Sequence, residues 1–184
     1  MMLDRCMIRQ CAPTLASIKT GSLFSCACPC TAALRREAEE LNRQLEEKGV
    51  EIRFLRQGER SALVYVFRPK CLERDLSQPG AAELLRACGY GSAEPEAALA
   101  RLRERLGEEG EFPHEIGLFL GYPLGDVLGF IRNRGRNCKC CGCWKVYGDE
   151  DSARRLFARY GHCRRAYERL WSQGRSLVQL TVSA

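Results

Sequence analysis

Apolar positions recur along this chain with two spacings, and the change from one to the other lays out the fold. Leu34, Ala38, Leu41 and Leu45 fall four and three apart in an otherwise charged run. That spacing predicts a helix from Thr31, its N-cap, to a stop at Gly49. VEIRFL (50–55) and ALVYVFR (62–68) are β-branched and aromatic, are joined across QGER, and predict an antiparallel hairpin. Pro69 ends the second strand because it cannot donate to a ladder. Upstream, residues 1–20 read as a short helix with a second one after Pro13, GSLFSC (21–26) as a strand, and CACPC (26–30) as an irregular turn. Downstream, helical segments are expected near 70–76 and 80–88. A further helix, capped by Ser92, carries Leu99, Leu102 and Leu106 on one face.

GEEGE (107–111) reads as a linker, and the densest stretch of the chain follows it. Pro113 suits a first helical turn and Gly121 a stop; Pro123 opens a second helix that runs to about Arg134 before Gly135. WKVY (144–147) reads as one more strand of the sheet, and Asp149 as the cap of a long last helix. Ala153, Leu156, Phe157, Tyr160, Cys163 and Tyr167 draw that helix's apolar stripe, and SLVQLTV is expected to fold back as a terminal turn. The sum is an α+β fold over 1–184 as one domain: a small, mostly antiparallel sheet of about three or four strands covered by helices. Its parts are an N-terminal cysteine-containing segment (1–30), a helix, hairpin and helices (31–106), the linker, and a C-terminal part (112–184).

Composition sharpens this picture in three ways. Hydrophobic residues at 45% and charged residues at 28% are ordinary globular values, so the chain can build a core. No apolar run approaches the roughly 18–20 residues that span a bilayer. Asp4, Arg5, Arg9 and Lys19 interrupt any secretory apolar segment, so the expected location is the cytoplasm, with no membrane partner. The net charge of +6 lies largely on arginines scattered among glutamates, as on a solvated face, and permits nucleic-acid binding without arguing for it.

Twelve cysteines change the picture most. Without an export signal they point to metal ligation, redox chemistry or small buried hydrophobes rather than to a disulfide framework.

Three blocks resemble a known family: CAPTLASIKTGSLFSC (11–26), FPHEIGLFLGYPLGDVLGFIRNRGRN (112–137) and GCWKVYGDEDSARRLFARY (142–160). They are similar to the signature blocks of domain-of-unknown-function family 3793, bacterial and largely from anaerobic Firmicutes, over nearly the whole chain. The resemblance implies a cytosolic location in an anaerobe, where thiols stay reduced. It brings no activity with it.

The candidate chemistry is therefore read from the residues. Cys26, Cys28 and Cys30 are spaced C-x-C-x-C, and Cys138, Cys140, Cys141 and Cys143 are spaced C-x-C-C-x-C. Soft thiolates at that density suit zinc or an iron–sulfur centre, and the two clusters would converge if strand 21–26 lay beside strand 144–147. Cys163, Cys71 and Cys88 read as packing. His114 and Glu115 open a helix, but a zincin motif needs a second histidine where Leu118 stands. Cys11 or Cys26 with His114 could make a thiolate–imidazole pair, and the plain alternative has His114 and Glu115 satisfying backbone donors at the helix start. Lys19 and Lys145 lie near strand ends, where a lysine can reach an anionic ligand.

Residues 115–136 also imitate a helix-turn-helix. With Leu124, Val127 and Ile131 buried, its second helix would offer Gly125, Asp126, Gly129 and Arg132 to a groove, a poor set for reading bases. The leading expectation is non-catalytic binding of a soft metal, an iron–sulfur centre or a small ligand through the cysteine clusters. The alternatives are helix-turn-helix-like nucleic-acid binding through 115–136 and a cysteine-dependent enzyme using His114.

Overall fold

The computed structural model describes residues 2–27, 30–108 and 111–183. The fold is α+β, with helices and two small antiparallel sheets. The chain divides into two compact units: Met1–Cys71 with His162–Ala184, and Leu72–Gly161.

The first unit is built on a three-stranded sheet, β1 (Gly21–Ala27), β2 (Glu51–Gln57) and β3 (Ser61–Phe67). The strand order is β1-β3-β2 and both pairings are antiparallel. The hairpin joins β2 to β3 as expected, and Val64 on the central strand lies between Phe24 and Phe54. Alternation puts Ser22, Phe24 and Cys26 of β1 on the buried side, while Ser25 and Ala27 are exposed. One face of the sheet carries Ala62, Val64 and Val66 into a core shared with α1 (Met2–Leu15) and α2 (Thr31–Leu45). Tyr167 on α8 (Glu150–Ser172), and Leu177 and Leu180 of the short helix Leu177–Leu180, join the same core.

The stripe Leu34, Ala38, Leu41 and Leu45 is buried, as its spacing requires. Asn42, on the same helix, donates to the carbonyl of Ile52 at 3.0 Å and accepts from its N–H at 2.8 Å, which clips α2 to the edge strand β2. Two local expectations fail here. Cys30, not Thr31, is the N-cap of α2, and it makes no side-chain cap bond. Pro13 does not break α1 into two helices: it sits in the last turn, where the helix loses one hydrogen bond and continues to Leu15. Ile18 N–H then closes onto the Pro13 carbonyl at 2.9 Å. Gly49 does stop the helix, at φ +67 after a 3-10 turn over Glu46–Lys48.

Arg68 knots this unit together. It is 1% exposed, and the four bonds of its side chain go to backbone carbonyls. Its guanidinium donates to Thr14 (2.7 Å), Leu15 (2.8 Å), Lys48 (3.0 Å) and Val182 (2.7 Å). Thr14 and Leu15 are the last residues of α1, where the helix dipole is negative and a buried cation is favoured. Burial pushes the guanidinium below its ordinary range.

In the second unit, Leu72–Gly161, α3 (Pro69–Leu76) contributes its end and α8 its beginning. Between them come α4 (Ala81–Ala87), α5 (Pro95–Arg105), α6 (Ile116–Phe119) and α7 (Leu124–Asn133). The cap of α5 is Glu94, whose side chain accepts from the N–H groups of Glu96 and Ala97; the expected cap, Ser92, bonds Glu94 N–H instead. Asp149 caps α8 as expected, accepting from Ser152 N–H at 3.0 Å. The WKVY segment is not a strand of the main sheet. Its β5 (Lys145–Val146) pairs with β4 (Cys140–Cys141) in a separate two-residue hairpin.

Candidate functional site

The site of interest is made by α6, α7 and the β4–β5 hairpin. The α6 turn ends at Gly121, whose φ of +73 turns the chain sharply enough for Tyr122 N–H to reach the Gly117 carbonyl at 2.9 Å. Pro123 then sits at the N-cap of α7. The two segments touch at Gly117, where an added Cβ would stand 2.8 Å from Val127 Cγ2. A second close approach seats the hairpin: Gly129 on α7 lies directly under Cβ and Cγ of Tyr147, and Gly142 lies against the Phe157 ring.

Asp126 fixes the hairpin to α7. It is 4% exposed, and three donors converge on its carboxylate. Trp144 Nε1–H donates to one oxygen at 2.7 Å, while the N–H groups of Tyr147 and Gly148 donate to the other at 2.8 and 2.7 Å. Three N–H groups thus satisfy this buried carboxylate from the hairpin side. Trp144, held this way, stacks on Tyr122 with ring centroids 4.8 Å apart and meets Phe157 edge-on at 4.5 Å. Tyr122 O–H donates to the Cys143 carbonyl at 3.2 Å.

These contacts border a half-open cavity of about 240 Å³. Its walls are mainly apolar and aromatic, with Ile116, Val127, Phe130, Tyr122 and Trp144 among them. Three residues singled out in the sequence for chemistry, His114, Cys141 and Lys145, also line it. The His114 ring packs on Phe130 at 4.8 Å between centroids. Lys145 Nζ stands 5.8 Å from the centre of the same ring and donates to the Gly135 carbonyl at 2.7 Å. Cys141 and Lys145 are register partners across the hairpin, and so share one face of it.

Other candidates stand elsewhere. Glu115 turns away from His114 and is 2% exposed. It accepts from Tyr90 O–H at 2.9 Å and lies 2.7 Å from Arg105 Nε, and it makes no cap bond for α6, so it does not serve the helix start as expected. Burial first, then the charge of Glu115, pushes the Tyr90 hydroxyl well above its ordinary range.

Cys11 is 0% exposed, and burial pushes its thiol up, the setting of a packed thiol rather than an activated nucleophile. Cys26 is buried in the first unit, its sulfur 3.9 Å from that of Cys6. Lys19 Nζ is tied to the Gly21 carbonyl. Cys28 lies outside the described residues, and Cys30 is exposed.

Among the described residues, no three of His, Cys, Asp and Glu come together as a metal would need. The strand pleat explains part of this for the second cluster, because adjacent Cys140 and Cys141 point to opposite faces. Cys141 faces the cavity, while the Cys140 thiol is pushed up by desolvation and by the charge of Glu150. Strands 21–26 and 144–147, whose adjacency the convergence of the clusters requires, do not share a sheet, since β1 pairs with β3 and β5 with β4.

The helix-turn-helix face is also corrected. The first helix is a single turn of four residues, Asp126 is buried in the hairpin bonds, and Gly129 is covered by Tyr147. Only Gly125 and Arg132 of the expected reading face are exposed.

No helix among the described residues is long and apolar enough to cross a membrane. A family model described as "Protein of unknown function (DUF3793)" matches residues 7–181. No curated protein and no solved structure matches the chain.

Proposed function

The chain belongs to the DUF3793 family, and we propose that it is a binding protein for a small, largely apolar molecule held in the cavity between α6, α7 and the β4–β5 hairpin. The observation that carries this reading is the convergence of His114, Cys141 and Lys145 on one aromatic-walled cavity of about 240 Å³. A void that holds one benzene ring measures roughly 150 Å³, so this one has room for a single ring with a short substituent. A few polar groups set in an apolar wall are the usual make-up of a small-molecule site. The walls are also fixed in advance, because the Asp126 bonds and the Gly129 contact leave the hairpin little freedom and the Gly117 contact sets α6 against α7. Cys141 enters this reading as a wall residue with a thiol at the mouth.

The test uses the indole N–H of Trp144, which lines the cavity and gives a proton resonance of its own. Toluene, benzyl alcohol and benzoate are titrated into the full chain. The expected result is a saturable shift of the Trp144 indole N–H with at least one probe. That shift should be lost in Cys141→Trp, which places a bulky ring at the exposed mouth and is checked for fold by circular dichroism. If no probe gives a saturable shift, or the folded Cys141→Trp variant binds as well as the parent, the reading fails.

A further inference from the structure

The polar groups around the cavity are unequal, and their inequality selects a ligand. Asp126 is the carboxylate in the wall, and its two oxygens already accept three N–H groups, so it has little to offer a cationic or hydroxylic guest. The Tyr122 hydroxyl is directed at the Cys143 carbonyl. Lys145 is different. Its ammonium is half-buried against Phe130 and its one bond, to the Gly135 carbonyl, leaves N–H groups over. Among the described residues no carboxylate lies within ion-pair distance of Lys145. A cation in an apolar wall without an anion favours a guest that brings one. His114 also packs on Phe130, but its Nε2 stands 3.9 Å from the Glu111 carboxylate, so the anion falls to Lys145. The rest of the lining is apolar and largely aromatic, with Trp144 stacked on Tyr122, and Phe130.

We propose that the cavity takes a small planar monocarboxylate of the aromatic-acid class, its carboxylate on the Lys145 ammonium and its ring against Trp144 and Phe130. This rests on the binding reading given above and names its ligand class. A carboxylate supplies two acceptor oxygens to the ammonium, and a ring of benzene size fits the cavity volume.

Benzoate and benzyl alcohol, which share a ring and differ in charge, are titrated against the full chain and its Lys145→Met and Lys145→Arg variants by calorimetry and by the Trp144 indole resonance. Benzoate is expected to bind about tenfold or more tighter than benzyl alcohol, the scale of one charge-assisted hydrogen bond. In Lys145→Met, benzoate loses its preference over benzyl alcohol, and Lys145→Arg keeps a preference for benzoate. Circular dichroism and a retained Trp144 indole resonance show that each variant is folded. Equal affinities in the parent chain, or a benzoate preference that survives Lys145→Met, overturns the assignment of the anion while leaving a binding cavity in place. Absence of binding by both probes overturns this proposal, and absence of toluene binding as well overturns the cavity reading with it.

Discussion

The indole N–H of Trp144 donates to Asp126 at 2.7 Å, and through that bond a helix residue holds a hairpin residue 18 positions away. Asp126→Ala removes the acceptor of three N–H groups at once, two of them on the hairpin backbone. The expected loss is about 2–4 kcal/mol in chemical denaturation, because hydrogen bonds to a charged group are the strong ones. Asp126→Asn should also destabilise, since an amide offers one oxygen and turns two donors of its own toward a site that needs acceptors. An Asn variant as stable as the parent would show that the carboxylate is not what holds the hairpin.

Two glycines of α7 should respond to alanine with opposite signs. Gly125 has open space around its missing Cβ, so Gly125→Ala should stabilise by about 0.5–1 kcal/mol through helix propensity. Gly129 meets Cβ and Cγ of Tyr147, atoms close to the backbone that cannot swing away. Gly129→Ala should therefore lower the melting temperature despite the same gain in propensity. Thermal unfolding of the two single variants decides it, and shifts of the same sign would contradict the close approach.

For Arg68 the informative comparison is between lysine and methionine. Both replacements abandon carbonyls that the guanidinium reaches as a fork, and a lysine ammonium is a point donor that cannot span them. Arg68→Lys and Arg68→Met should each cost about 3 kcal/mol or more in urea unfolding. Rescue of parental stability by lysine would mean that charge alone, and not the geometry of four bonds, is required.

Alkaline pH should unfold the first unit through Tyr167. Burial, then the nearby Cys163, pushes its phenol up to about 12, and its O–H donates to the Leu180 carbonyl at 2.7 Å. A folded-state value above the unfolded one, about 10, means that the fold prefers the neutral phenol. The contribution is thus complete below about pH 10 and is lost as pH rises towards 12. Tyr90 and Tyr160 are raised by burial as well and act in the same direction. Stability measured from pH 8 to 12 should fall steeply in the upper half of that range, and Tyr167→Phe should flatten the slope. An unchanged slope in that variant would remove Tyr167 as a cause.

What could be read from the sequence was whatever depends on near neighbours. The stripe of α2, the β2–β3 hairpin, the stop at Gly121 and the cap at Asp149 each follow from spacing or from one residue's backbone preference. The misreadings share a cause. Thr31 and Ser92 look like caps by type, yet the caps fell to Cys30 and to Glu94, which Pro95 follows. Pro13 reads as a break because local rules do not register that only the final turn is affected. Asp126 reads as part of an exposed helix face because the donors that bury it come from Trp144, Tyr147 and Gly148, and no local pattern announces them. His114, Cys141 and Lys145 were each visible as reactive types, but their shared cavity depends on a turn and a hairpin closing on each other. The Tyr90–Glu115–Arg105 cluster left no signal in spacing at all.

The first unit takes its residues from both ends of the sequence, and Arg68 accepts that arrangement at its centre by bonding Val182 across 114 positions. During synthesis at roughly 5–20 residues per second, the sheet and its first two helices leave the ribosome well before the segment that covers them. Through that interval the nascent first unit lacks Tyr167, Leu177 and Leu180 from its core, and the guanidinium lacks one of its carbonyls. Leu72–Gly161, drawn from one continuous stretch, is under no such delay. The two units therefore complete in the reverse of the order in which they begin, and a chain stalled before residue 162 exposes to chaperones an apolar face that the finished protein keeps covered.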